Sequence, residues 1–303
     1  MLIKHLLVSV LLSCAYGSIA QPQIIVLGTA QDAGYPQMGC VRSCCELAHQ
    51  HDSLKQHVVS LALVDPKQKK WWLFEATPDM KEQLRLFAKY THNQYSFLPD
   101  GIFITHAHMG HYTGLAQLGR EVMNSNKVPV YVLPQLKRFL ETNGPWSQLV
   151  SLQNISLVEL NEMIPVSLPG NISVSSFRVP HRDEFSETAG FKIITPAKRW
   201  LFIPDIDKWS KWNKNIIDEV KSVDIAFLDA TFFSEDELPN RTMSEVPHPL
   251  VTETIELFKS ETAETKSKIH FIHFNHTNPL LFDAAFQKQL KSNGFNQARE
   301  VKP

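Results

Sequence analysis

The stretch FITHAHMGHYTGL, residues 103–115, decides how this chain reads. An apolar run with strand character, residues 101–105, stops at His106, His108 and His111, and the residues that follow can start a helix. Neutral imidazole is the commonest biological metal ligand, and a strand running into a loop holds ligands rigidly. His106 and His108 leave extended chain from the same face, whereas His111 reaches around a turn. One pair can therefore chelate an ion while the third histidine addresses a neighbouring one.

The pattern recurs along the chain. His181 follows the strand-like residues 172–179, Asp205 follows residues 200–203, and His273 closes residues 268–274. A metal-type side chain thus stands at the end of four separate strands. A single histidine on an apolar strand is ordinarily a hydrogen-bonded core residue, but four such endings make a ligand set. Hairpin-like pairs (residues 60–65 with 71–76, and 190–195 with 200–203) are mixed with helical patterns at residues 80–90, 134–142, 207–220, 249–259 and 280–290. That alternation predicts a mixed sheet system covered by helices in one α/β domain, residues 21–303.

Composition narrows the function classes. The 303 residues suffice for a large core, and 30 Lys+Arg against 31 Asp+Glu leave a net charge of −1. With KQKK (residues 67–70) as its longest basic tract, the chain is a poor match for extended nucleic acid, and a small-molecule substrate is expected. Residues 1–20 carry a short basic start, an apolar run and small residues ending in Ala20, the pattern of a secretory signal cleaved before Gln21. Leu11-Leu12-Ser13-Cys14 offers a competing reading, a lipid anchor at Cys14. Either way a periplasmic or secreted protein is expected. No later stretch is long enough to span a bilayer.

The ligand set in this order resembles the metallo-β-lactamase superfamily, whose signature is H-x-H-x-D-H followed by a His, an Asp and a His at strand ends. The strings LGTAQDAGYPQ (27–37), EATPDMKEQL (75–84), FLDATFFSEDEL (227–238) and FIHFNHTNP (271–279) are similar to pyrroloquinoline-quinone biosynthesis B-type proteins and phosphonate-pathway phosphodiesterases. The resemblance implies an αββα sandwich with zinc at His106, His108 and His181, and a second ion at His111 and His273 bridged by Asp205. Manganese or iron remains open. It also implies a hydrolase attacking a phosphodiester or related ester through a metal-activated water, with Asp205 at the reaction centre and His248 as general acid. Two alternatives stand beside it: a quinone-pathway-like oxygenase, and a metal- or substrate-binding protein with a degraded second site. The last is suggested by Gly110, which stands where the signature has its aspartate.

Relatives of this type also hold a structural zinc on clustered cysteines. Here Cys40, Cys44 and Cys45, with His276 three residues beyond His273, are the matching donors. A disulfide from Cys40 to Cys44 or Cys45 is the alternative in an oxidising compartment. Asp207 reads as a helix N-cap, and Asp32, Asp79 and Asp229 as loop-tying residues or chemistry.

Overall fold

The computed structural model describes residues 21–238, 242 and 245–302; the expected signal segment with Cys14 lies outside the described residues. Strands β1 (Gln23–Gly28), β2 (Ser60–Asp65), β3 (Lys70–Phe74), β4 (Gly101–Phe103), β5 (Val128–Val132) and β6 (Ile155–Glu159) form one sheet in sequence order. A second sheet contains β7 (Val166–Leu168), β8 (Ile172–Val179), β9 (Thr188–Ile194), β10 (Arg199–Ile203), β11 (Ile225–Asp229), β12 (Ile269–Ile272) and β13 (Asn296–Gln297), likewise in order. Each sheet is antiparallel where hairpins join its strands and parallel where helices cross over. Both expected hairpins form, with Leu63 opposite Trp72 and Ile193 opposite Trp200.

The helices are α1 (Ser43–Gln50), α2 (Met80–Tyr90), α3 (Met109–Tyr112), α4 (Pro134–Thr142), α5 (Trp146–Ser151), α6 (Ile216–Lys221), α7 (Val251–Leu257), α8 (Ala263–Ser267) and α9 (Ala284–Ser292). Burial falls into three layers. Leu61, Leu63, Phe74, Phe103, Phe191 and Phe202 fill the space between the sheets. There Phe74 stacks on Phe103 at 4.9 Å and meets Phe191 edge-on at 5.5 Å. Leu84 and Phe87 of α2 with Leu136 and Leu140 of α4 cover the outer face of the first sheet. Val220, Val251 and Leu290, from α6, α7 and α9, cover the second. The result is the expected αββα sandwich. Strands buried on both faces explain the continuous apolar runs, and each fully buried Phe or Leu contributes about 1.5–3 kcal/mol.

Two helical expectations need correction. Residues 207–220 do not form one helix: a 3-10 turn, Trp209–Lys211, is separated from α6, whose N-cap is Asn215. The backbone turns extended at Trp212 (ψ 139°) and Asn215 (ψ 114°), which interrupts the helical path, while the indoles of Trp209 and Trp212 donate to Thr254 Oγ1 and Arg178 O, both at 2.9 Å. Asp207 is accordingly no helix cap; it accepts from Lys208 N and pairs with Lys211 at 2.7 Å. Residues 280–290 are likewise broken after Pro279–Leu281, and Asp283 caps α9 through Ala285 N at 2.8 Å.

The topology sets up the site. Strands β1, β3 and β4 run in one direction in their sheet, and β8, β10, β11 and β12 do so in theirs. The segments leaving their C-terminal ends meet along one edge of the sandwich.

Candidate metal centre

His106, His108, His181 and Asp205 each place one donor atom within 4.8 Å of the others. The oxygen Asp205 Oδ2 lies 3.4 Å from His106 Nε2 and 3.2 Å from His181 Nε2, and His181 Nε2 is 3.2 Å from His108 Nδ1. The same oxygen is 3.7 Å from His111 Nε2, so Asp205 stands between two groups of histidines. His111 and His273 form the second group, with ring centroids 5.3 Å apart.

These separations suit a metal. Nitrogen and oxygen donors at about 2.0–2.2 Å from a tetrahedral ion lie about 3.3–3.5 Å from one another. His106 Nε2, His111 Nε2 and His273 Nε2 are buried without a hydrogen-bond partner, a costly arrangement that an ion relieves. The opposite ring atoms are held. Thr105 Oγ1 contacts His106 Nδ1 at 2.9 Å, Glu184 Oε2 contacts His108 Nε2 at 2.9 Å, and Thr231 Oγ1 contacts His273 Nδ1 at 2.9 Å. Such outer contacts fix the ring orientation that a ligand needs.

Electrostatics agree with the geometry. Burial holds His106 well below the ordinary histidine range and lowers His273, which keeps both in the neutral, ligating form. Burial works against ionisation of Asp205, but His181 and His248 beside it hold the carboxyl well below the usual range. His111 behaves differently: burial pulls it down, yet Glu75, Asp32 and Asp205 outweigh that and push it up to about 9. Ligation of a metal by His111 would therefore displace a proton.

Two turns at the centre are strained. His273 at the end of β12 and Glu75 beyond β3 have φ of 68° and 73°, the left-handed region that residues with a Cβ occupy at a cost of about 1–3 kcal/mol. At the first, His273 is aimed at the centre. At the second, the fully buried Glu75 faces His111 Nδ1 across 3.5 Å.

His248 lies beside this centre. Its Nδ1 is 2.9 Å from Asp229 Oδ2 and 3.2 Å from Asp205 Oδ1. The histidine also lines a cavity of about 340 Å³ with Gln31, Arg42, Arg182, Asn275 and His276. Asp229 is therefore more than a loop tie, although it does accept Ile206 N at 3.1 Å and Thr231 N at 2.9 Å. Asp79 is a loop tie, accepting Val58 N at 2.9 Å.

A second cluster gathers Cys40, Cys44, Cys45 and His276. His276 Nδ1 is 3.3 Å from Cys45 Sγ and 3.9 Å from Cys44 Sγ. The three cysteines are free thiols, so neither alternative disulfide is formed. Burial and a hydrogen bond with Cys40 push the Cys45 thiol up to about 12. His273 and His276 thus face different clusters, as expected, but through a left-handed residue at His273 (φ 68°) and a turn at His276, and not through the alternation of extended chain.

The profile of the Beta-lactamase superfamily domain matches residues 70–271, which hold five of the six expected active-site ligands, with His273 just beyond. The chain belongs to the metallo-β-lactamase superfamily. Within it, coenzyme PQQ synthesis protein B of Gluconobacter oxydans (strain 621H) is 25% identical over 303 residues, covering 91% of this chain and 96% of that one. Among solved structures, Zn(2+)-bound PqqB from Methylobacterium extorquens superposes with a TM-score of 0.74 at 22% identity, covering 92% of this chain and 98% of that one. A diphosphatase from the PhnP family superposes with a TM-score of 0.64 at 20% identity, covering 93% and 96%.

Against the superfamily signature, Glu75 and Thr231 are the contributors that the sequence does not single out: both sit in quoted strings, far in sequence from the histidines they face. Asp32, read from the sequence as a loop tie or a chemical residue, faces His111.

Proposed function

We propose that this protein is an exported metal-dependent hydrolase that cleaves a phosphodiester or related ester in a small molecule. The carrying observation is the paired histidine groups around Asp205 beside a cavity whose wall includes Arg42, Arg182 and His248. A metal held there supplies a Lewis acid and a water acidified toward neutrality. The chain's own groups account for the rest. Arg42, Arg182 and Asn275 present donors for an anionic substrate, and arginine forks match phosphate geometry. Asp229 engages His248 Nδ1 and so orients the ring, leaving Nε2 to give a proton to the leaving oxygen.

The test is turnover of a chromogenic phosphodiester by zinc-loaded protein. His106→Ala should abolish it; full activity in that variant would refute the reading. His248→Gln should slow esters with alkoxide leaving groups by about 10²–10⁴-fold while sparing a nitrophenolate, which leaves without protonation.

The likeness to coenzyme PQQ synthesis protein B over 91% of the chain favours a second reading, an iron- and oxygen-dependent step on a small quinone-type compound. Oxygen uptake by iron-loaded protein distinguishes it from the first. Export rests on residues 1–20. It predicts a mature chain starting at Gln21, or at an acylated Cys14 if the segment acts as a lipid anchor.

A further inference from the structure

We propose that Asp32, from the loop after β1, is the carboxylate ligand of the second metal position, replacing the signature aspartate that Gly110 lacks. The proposal deepens the metal-dependent reading above and rests on it.

The space at Gly110 is already taken. A Cβ built on Gly110 would lie 2.2 Å from Asp32 Oδ1 and 2.6 Å from Asp32 Cα. The carboxylate of Asp32 thus stands where a side chain at position 110 would begin, and a side chain there would collide with backbone as well. Gly110 is therefore the opening through which a carboxylate from another segment enters. An aspartate restored at 110 would have to displace the loop first.

The donors converge on that spot. Asp32 Oδ1 is 3.6 Å from His111 Nε2, within the spacing expected of two donors on one ion. One donor each from Asp32, His111 and His273 lies within 4.8 Å of the others. Asp32 Oδ1, His111 Nε2 and His273 Nε2 are all buried and all lack a hydrogen-bond partner. With Asp205 Oδ2 at 3.7 Å from His111 Nε2, they make a set of two imidazoles and two carboxylates.

The loop is built to hold this position. Gln31 N donates to Phe274 O and Phe274 N donates to Thr29 O, both at 2.8 Å. The segment carrying Asp32 is therefore laced to the residue after His273. Thr29 N and Ala30 N both donate to His57 O at 2.9 Å, and Gly34, at φ 72°, turns the chain back. A residue that merely tied a loop would have its carboxylate oxygen satisfied by backbone N–H groups, as Asp79 does; the buried oxygen of Asp32 is not.

The experiment is zinc binding, read without reference to turnover. Zinc is titrated into metal-free protein against a competing chelator, and ions retained per chain are counted by elemental analysis for wild type, Asp32→Asn, His111→Ala and the double variant. Removing an outer contact of a metal ligand costs 10–100-fold in affinity, so losing a ligand should weaken the second ion by at least about 100-fold. The expected result is loss of one ion in Asp32→Asn, with the ion on His106, His108 and His181 retained, and no further loss in the double variant than in His111→Ala. Asp32→Asn retaining wild-type stoichiometry and affinity would overturn the proposal, as would a wild-type protein that binds no ion at His111 and His273. A protein that binds both ions, the second through Asp32, yet hydrolyses no ester would refute the hydrolase reading alone.

Discussion

Replacing Thr231 with valine removes one hydroxyl from a buried site at nearly constant volume, and the structure fixes what that hydroxyl does. Its Oγ1 is 2.7 Å from Asp229 Oδ1, 2.9 Å from His273 Nδ1 and 3.1 Å from His248 Nδ1. A hydroxyl has one proton to donate, and the ionised carboxylate can only accept, so the proton goes to Asp229. His273 must then donate its Nδ1–H to Thr231, which leaves the Nε2 lone pair for the metal. In Thr231→Val the histidine N–H is orphaned, at a cost of about 1–3 kcal/mol, and the Asp229 hydrogen bond is lost, about 0.5–1.5 kcal/mol more. Asp229 Oδ1 keeps Thr231 N at 2.9 Å, which limits the damage. Metal-free protein should therefore lose about 2–4 kcal/mol in urea unfolding. The affinity of the ion on His273 should fall about 10–100-fold, or about 1.4–2.7 kcal/mol, while the ion on His106, His108 and His181 is unchanged. Thr231→Ser restores the hydroxyl and should recover the affinity. A valine variant that loses stability yet binds the second ion within about twofold of wild type would refute this assignment of the tautomer and its consequence.

Burial, with the Lys291 charge nearby, depresses His270 on β12 to about 4. An unfolded chain takes up that proton near 6.5 and the folded one only near 4. This stability is thus complete above pH 6.5 and is lost as pH falls toward 4, at up to about 1.4 kcal/mol per pH unit. His270→Gln should flatten that acid limb, measured by urea unfolding between pH 7.5 and 4.5, and an unchanged slope would count against it. Cys45→Ser should release the zinc held with Cys40, Cys44 and His276 and lower the melting temperature, leaving the histidine-centre ions bound; elemental analysis showing no missing zinc would exclude a metal at the thiols. Because those thiols must ionise to ligate, with Cys45 pushed up to about 12, zinc affinity there should rise with pH.

The ligands most legible in the sequence were those whose position follows from local chain geometry. A strand ends, a side chain just beyond it stands at the sheet edge, and the residue type declares its chemistry; His106, His181, Asp205 and His273, which follow β4, β8, β10 and β12, are all of this kind. The hairpins and the αββα layering were legible for a similar reason, since long apolar runs report burial on both faces. The helix expected at residues 207–220 shows where local pattern loses to tertiary context: its spacing is helical, but the backbone is extended at Trp212 and Asn215, with the Trp212 indole tied to Arg178 O of β8. Strand β6 went unread because its burial is uneven and its residues include Ser156 and Glu159.

Gly110 is the more instructive failure. Sequence pattern presents it as a ligand missing from a motif, and therefore as a weakened second site. In three dimensions the missing Cβ is the condition for Asp32 to approach within 3.6 Å of His111. A motif records which residues surround an ion only while the ligands stay on the same segment. When one moves to a loop about 80 residues away in sequence, the motif position must shrink to make room, and the substitution that looks like decay is the steric counterpart of the gain. The occupancy of the second position then depends on how firmly the β1 loop is laced to Thr29, Phe274 and His57, and no longer on the histidine segment alone.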